Sequence, residues 1–215
     1  MTRAALPNML TGARLVLGLA MFICLAGASG NIPYLSDSLT PEAQFSLQRW
    51  SFIAFVLAAV TDWFDGWAAR RWNAETVWGA ILDPIADKIL VAGTILGLSS
   101  LGANPHIVAP GALILFREFF VSALREVGAG RGVRFPVTAL AKWKTTLQLV
   151  ALAAQLIAAS WSAWTFLPSD PAVRGPFEVA ADALMWVAAA VTLWTGWGYW
   201  RAARSQLMAP DRAAG

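Results

Sequence analysis

Six long apolar runs, separated by short polar and turn-rich segments, dominate the chain. They cover residues 15–28, 45–60, 77–101, 107–124, 145–167 and 179–200, and each approaches the roughly 20 residues that a membrane-spanning helix needs. The pattern predicts an all-α integral membrane protein with six transmembrane helices, a short N-terminal interfacial helix, and both termini cytoplasmic. Residues 1–215 then form one transmembrane domain, with an interfacial segment over 1–13, a six-helix core over 14–202 and a flexible tail over 203–215. Leu6-Pro7-Asn8-Met9-Leu10-Thr11 supplies the turn and helix cap from which the interfacial segment is inferred. Arg3, the first apolar run and Ala26-Gly27-Ala28 imitate a secretory leader with its cleavage site, but a disposable leader has no need of that turn, so an uncleaved first span is expected.

The polar breaks carry orientation. The segment 30–42 holds Pro33, Asp37, Pro41 and Glu42 without Lys or Arg, as an outer loop would, whereas Asn73, Glu75 and Thr76 make a tight inner turn. A turn-rich outer loop is expected over 168–176. Near the inner end of the last run Trp194, Trp197 and Trp200 recur every third residue, which reads as an interfacial belt or a helix contact.

Composition sharpens this picture. With 58% hydrophobic and 13% charged residues and a mean hydropathy of +0.56, six spans leave little chain for a soluble domain. A net charge of +3 and a pI near 9.5 raise the question of nucleic acid, but the basic residues form no groove interleaved with aromatics, so no nucleic-acid partner is expected. They mark sidedness instead. Arg3, Arg14, Arg70, Arg71, Arg125, Arg131, Arg134, Lys142, Lys144, Arg201, Arg204 and Arg212 fall on the inner side of the six-span arrangement, and only Arg49 and Arg174 fall outside. The single Cys24 excludes an intramolecular disulfide. His106, beside Pro105, reads as a solvated loop residue with no obvious partner.

Against this background, DWFDGWAARRWNAETVWGAILDPIAD, residues 62–87, stands out. A carboxylate near the middle of a spanning helix costs about 2.5–3.5 kcal/mol on insertion scales, which makes each one a candidate functional group. Asp62, Asp65, Gly66 and Ala69 fall at i, i+3, i+4 and i+7, on one helical face, and Gly79, Asp83 and Asp87 step by four along the next helix. If the two stripes face each other, the small residues bring the backbones close and four carboxylates converge, with protons or metal ions to relieve their repulsion. Oxygen-only ligands favour hard cations, Mg2+ or Mn2+, and two such ions bridged by carboxylates clamp a diphosphate during an in-line displacement. Helix-end carboxylates paired with Arg70, Arg71 and Lys88 are the bland alternative, yet Arg71 and Lys88 follow neither stripe. Pro84 reads as a kink.

The positions Asp62, Asp65, Gly66, Ala69, Arg70, Gly79, Asp83 and Asp87 fit D-x-x-D-G-x-x-A-R, eight residues, then G-x-x-x-D-x-x-x-D. This resembles the signature of the CDP-alcohol phosphotransferases, integral membrane enzymes of six transmembrane helices that usually form homodimers. The resemblance implies transfer of a phosphatidyl group from CDP-diacylglycerol to an alcohol with release of CMP. It also implies two divalent ions held by Asp62, Asp65, Asp83 and Asp87, with Asp87 doubling as general base, and a cytidine diphosphate pocket shaped by Gly66, Ala69, Arg70 and Gly79.

Further along, Arg117-Glu118-Phe119, Val121-Ser122, Leu124-Arg125-Glu126, Lys142-Trp143-Lys144-Thr145 and Gln148, together with Pro7-Asn8, Leu10-Thr11 and Arg14, look like the bacterial phosphatidylglycerophosphate synthase branch of that family. Its acceptor would be glycerol 3-phosphate, a dianion, and Arg117, Arg125, Lys142 and Lys144 are the candidate acceptor-phosphate ligands. Arg117, well inside a span, is the sharpest of them, with pairing to Glu118 or snorkelling as the plainer reading. The expected setting is the bacterial cytoplasmic membrane, among its lipids, with the active site near the cytoplasmic face. The same chemistry with inositol phosphate, or with phosphatidylglycerol in cardiolipin synthesis, is the nearest rival. A divalent-cation or proton-coupled transporter is the rival from another class, and it predicts carboxylates deep in the bilayer.

Overall fold

A computed structural model describes residues 5–34, 38–72, 77–102, 104–131 and 139–207. For 5–8, 63, 65–72, 77–78, 80, 139–142 and 207 the description covers the backbone alone. The elements are α1 (Ala5–Ala28), α2 (Pro41–Trp72), α3 (Val77–Leu101), α4 (Pro105–Gly130), α5 (Ala139–Ala159), a 3-10 turn (Trp161–Ala163) and α6 (Pro171–Leu207). No strand occurs among the described residues. Four helices contain stretches long and apolar enough to cross a membrane, at Met9–Ala28, Pro41–Asp62, Pro105–Gly130 and Pro171–Gln206. Neither α3 nor α5 is among these four, and those two helices carry Asp83, Asp87 and Lys88, and Lys144, Gln148 and Gln155.

Several boundaries differ from the apolar pattern, each for a local reason. The expected interfacial segment is not a separate element, because α1 runs unbroken from Ala5 into the first apolar run. Pro7 sits in its first turn, where a missing N–H costs no helical hydrogen bond. The fifth helix ends eight residues short of its apolar run. Ser160 Oγ donates to the Leu156 carbonyl at 2.6 Å, while Trp161 Nε1 donates to Pro168 O and Trp164 Nε1 to Ser160 Oγ, both at 2.9 Å, so the two indoles hold a tight turn. The outer loop expected over 168–176 is mostly helix. Asp170 accepts the Ala172 N–H at 2.8 Å and Pro171 occupies the first helical position, a standard start for α6. The tail expected from 203 is helical through Leu207, because Ala203 is buried against Val121 and Tyr199. The inner turn at Asn73, Glu75 and Thr76 lies outside the described residues.

Helix packing falls into two groups of three. α1 packs along both α2 and α3, α6 packs along both α4 and α5, and the groups meet chiefly through α3 with α4 and α5 and through α2 with α5. Met21, Leu25, Phe55, Leu90, Ile95, Ile114, Leu152 and Met185 form a continuous buried core across that meeting. Val16, Leu57, Phe116, Val150, Val187 and Trp194 are exposed. So much outward apolar surface suits lipid as the surrounding solvent.

The close approach of α2 to α3 expected from Gly66, Ala69 and Gly79 falls where α2 is described by its backbone alone. Those helices touch little among the described residues, and α1 lies against both. Glycines on α3 make room for it: a methyl group at Gly97 would sit 2.5 Å from Leu25 Cδ1 and 2.9 Å from Leu25 Cβ. Gly97→Ala therefore forces α1 and α3 apart, at a cost of about 1–3 kcal/mol. Thermal unfolding in detergent should show a melting temperature lower by several degrees, whereas Gly198→Ala, with open space around it, should leave it at or slightly above the parent value.

Candidate active site

Where α1 meets the C-terminal half of α2 and the N-terminal half of α3, it inserts a cation among the acids. Arg14 is 1% exposed. Its Nη1 pairs with Asp62 of α2 and, at 2.6 Å, with Asp87 of α3, and its Nη2 reaches Asp83 at 3.2 Å. One turn earlier the Thr11 hydroxyl donates to Asp83 Oδ1 at 2.7 Å. Arg14 engages Oδ1 of all three carboxylates, whose side chains stay 37%, 49% and 52% exposed for Asp62, Asp83 and Asp87. The cluster is thus closed by a guanidinium on its buried side and accessible on the other. A planar fork of donors suits this shared pairing in a way an ammonium would not.

Arg14 thus draws Asp62 toward Asp83 and Asp87, with α1 as their common partner. Asp65, Gly66, Ala69 and Arg70 lie in the C-terminal part of α2 and Gly79 in the first turn of α3. The side chains of Asp65 and Arg70 are outside the described residues. Among the described residues no three His, Cys, Asp or Glu side chains converge closely enough to hold a metal ion by themselves. The donor chemistry, three accessible carboxylates without nitrogen or sulfur, fits a hard divalent cation.

A second polar cluster, of opposite sign, lies in the other helix group. Arg117 of α4 and Lys144 of α5 are 6% and 5% exposed. Both pair with Glu118 Oε1, Arg117 through Nη1 at 3.3 Å and Lys144 through Nζ, and Gln148 Nε2 donates to the same oxygen at 3.2 Å. Arg117 Nη2 also donates to Thr195 Oγ1 of α6 at 3.1 Å, and its Cζ lies 5.6 Å from the centre of the Tyr199 ring. Two cations sharing one carboxylate leave this buried cluster with an excess of positive charge. The helices that carry the two clusters pack together, α3 with Asp83 and Asp87 lying against α4 and against α5 with Lys144.

Of the other expected acceptor ligands, Arg125 is exposed two turns along α4 from Arg117, and the Lys142 side chain is outside the described residues. Pairing of Arg117 with Glu118, the plainer reading, is present. His106 is not a partnerless loop residue. It sits in the first turn of α4, where Asn104 caps its N–H at 2.9 Å, and its Nδ1 accepts from Trp186 Nε1 at 3.2 Å. The placement of Arg14 within the acids had no periodic signal on α2 or α3, although Thr11 and Arg14 share a face of α1. Thr192, Thr195 and Tyr199 were also missed, and their spacing of i, i+3 and i+7 is the clue, a polar stripe on the face of α6 turned away from Trp194 and Trp197.

Residues 4–194 match the CDP-alcohol phosphatidyltransferase family. The chain belongs to that family. Among curated relatives, the CDP-diacylglycerol--glycerol-3-phosphate 3-phosphatidyltransferase of Cereibacter sphaeroides is 41% identical over 174 residues, covering 69% of this chain and 79% of that protein. The proteins of the same name from Salmonella typhimurium and Escherichia coli K12 are each 42% identical, over 160 and 158 residues, and cover 74% and 73% of this chain and 80% and 79% of their own lengths. The family signature from Asp62 to Asp87 lies inside the matched region, as do Arg14, Arg117 and Lys144. Enzymes of this family are generally dependent on a divalent metal.

If Arg14 is the counter-charge of the acids, Arg14→Ala leaves them to repel one another. The metal-free variant should melt several degrees below the parent in detergent, and added Mg2+ or Mn2+ should raise its melting temperature by more than it raises the parent's. Equal metal-induced shifts in the two proteins would contradict this role.

Proposed function

We propose that this enzyme transfers the phosphatidyl group of CDP-diacylglycerol to sn-glycerol 3-phosphate, giving phosphatidylglycerophosphate and CMP. The observation that supports the reading is the presence of two oppositely charged clusters on packed helices: a carboxylate set suited to a metal-bound diphosphate on α2 and α3, and a buried set with excess positive charge on α4 and α5, with α3 lying against α4 and α5. An acceptor bearing its own phosphate needs that arrangement, with an anion site placed beside the reacting phosphorus. Serine brings no such anion.

In this reading Asp62, Asp65, Asp83 and Asp87 hold two divalent ions, Mg2+ or Mn2+, which when bound supply charge neutralisation at the diphosphate. Gly66, Ala69 and Gly79 leave room for the nucleotide, and Arg70 pairs with its phosphate. Arg117 and Lys144 bind the phosphate of the acceptor from within the bundle, with Arg125 and Lys142 at the rim. Asp87 takes the proton of the primary hydroxyl, whose oxygen then bonds to the lipid-linked phosphorus while the bond from that phosphorus to the CMP oxygen breaks. Holding the hydroxyl beside both base and phosphorus turns a bimolecular step into a local one.

The six helices all cross the membrane in this reading, with both termini inside, the site near the cytoplasmic face of a bacterial inner membrane, and a homodimer as the working unit that the family resemblance implies. Purified protein supplied with CDP-diacylglycerol should release CMP with glycerol 3-phosphate. With inositol phosphate, serine or phosphatidylglycerol it should not, and CMP release confined to one of these would refute the acceptor assignment. Exhaustive chelation should abolish turnover and added Mg2+ or Mn2+ restore it. Asp87→Asn should lower turnover by about 10²–10⁴-fold, the usual contribution of a general base, and near-normal turnover would remove Asp87 from that role.

A further inference from the structure

Two like charges placed side by side inside an apolar bundle need something to fix their separation and direction. Glu118 holds both, but its own backbone belongs to α4, beside Arg117, so it anchors Lys144 better than it aims Arg117. The aiming comes from α6. Thr195 Oγ1 accepts Arg117 Nη2 at 3.1 Å, and the Thr195 hydroxyl is itself oriented by donating to the Thr192 carbonyl at 2.8 Å. Thr192 Oγ1 accepts Gln148 Nε2 at 2.7 Å, tying the same turn of α6 to the amide that bonds Glu118. At Gly196 the stem of Arg117 lies directly on the α6 backbone: a methyl group there would sit 2.7 Å from Arg117 Cγ and 3.2 Å from its Nε. That Nε is buried without a hydrogen-bond partner among the described residues, so packing against Gly196, rather than a bond, holds this part of the side chain.

We propose that Thr195 and Gly196 of α6 are positioning residues for acceptor recognition, acting through Arg117. The proposal rests on the reading of Arg117 and Lys144 as the acceptor-phosphate site. A guanidinium fixed before the acceptor arrives loses little freedom on binding it. Releasing the guanidinium should weaken the acceptor and leave the nucleotide, held by the other helix group, largely untouched.

The test is steady-state kinetics on the full-length protein in mixed micelles, with each substrate varied in turn. Thr195→Val keeps the side-chain volume and removes the acceptor of Arg117, and Gly196→Ala displaces the Arg117 stem. Each should raise the KM for glycerol 3-phosphate about tenfold, the size of a lost hydrogen bond to a charged group, with the KM for CDP-diacylglycerol within about twofold of the parent. Thr195→Ser, which keeps the hydroxyl, should retain the parent values. An unchanged glycerol 3-phosphate KM in Thr195→Val, equal rises for both substrates, or a serine variant as impaired as the valine variant would overturn the proposal. If Gly196→Ala does not fold, the Thr195 pair decides alone. Parent protein that turns over only an acceptor without a phosphate refutes the acceptor-site reading itself, whereas parent protein active on glycerol 3-phosphate with an unresponsive Thr195→Val refutes only the role of α6.

Discussion

Charge inside an apolar bundle has to be answered within a few ångströms, and the pairing of Arg14 with Asp62, Asp83 and Asp87 is the interaction on which this architecture depends. Three carboxylates from two helices cannot share one region without it or an equivalent cation. Because Arg14 comes from α1, the first helix is drawn between the two that carry the family signature. The close fit of Leu25 against Gly97 then becomes part of the site's foundation. Packing toward the C-terminal end of α1 and charge toward its N-terminal end act together on the same helix.

The second helix group solves the complementary problem with the opposite sign. There one carboxylate, Glu118, serves two cations, while Gln148 donates to Glu118 and to Thr192, and Thr195 accepts from Arg117. A cluster with excess carboxylate and a cluster with excess cation sit on helices that pack together, an arrangement that suits the proposed joining of a metal-bound diphosphate to a phosphorylated alcohol. In the proposed function, the excess charge that burdens the fold is the charge that recognises the ligands.

Much of this was legible because ionisable residues in apolar runs have so few explanations. Asp62, Asp83 and Asp87 announced themselves by spacing alone, and Arg117 by its depth in a span. The helix ends were less legible, since hydropathy does not see capping: Asp170 starts α6 within what reads as a loop, and the hydrogen bonds of Ser160, Trp161 and Trp164 stop α5 within what reads as a span. Thr192, Thr195 and Tyr199 were obscured by the more conspicuous tryptophans one face away.

The sequence by itself determined the helical class, the apolar spans and the acidic signature of the family, because period, hydropathy and ionisability are properties of a residue and its near neighbours. Only the tertiary structure decided which charges compensate which. Arg14 and Asp87 are 73 positions apart, and Arg117 and Thr195 are 78; their pairing follows from how six helices pack. Nothing periodic along one helix encodes the neighbour that packing will bring to it.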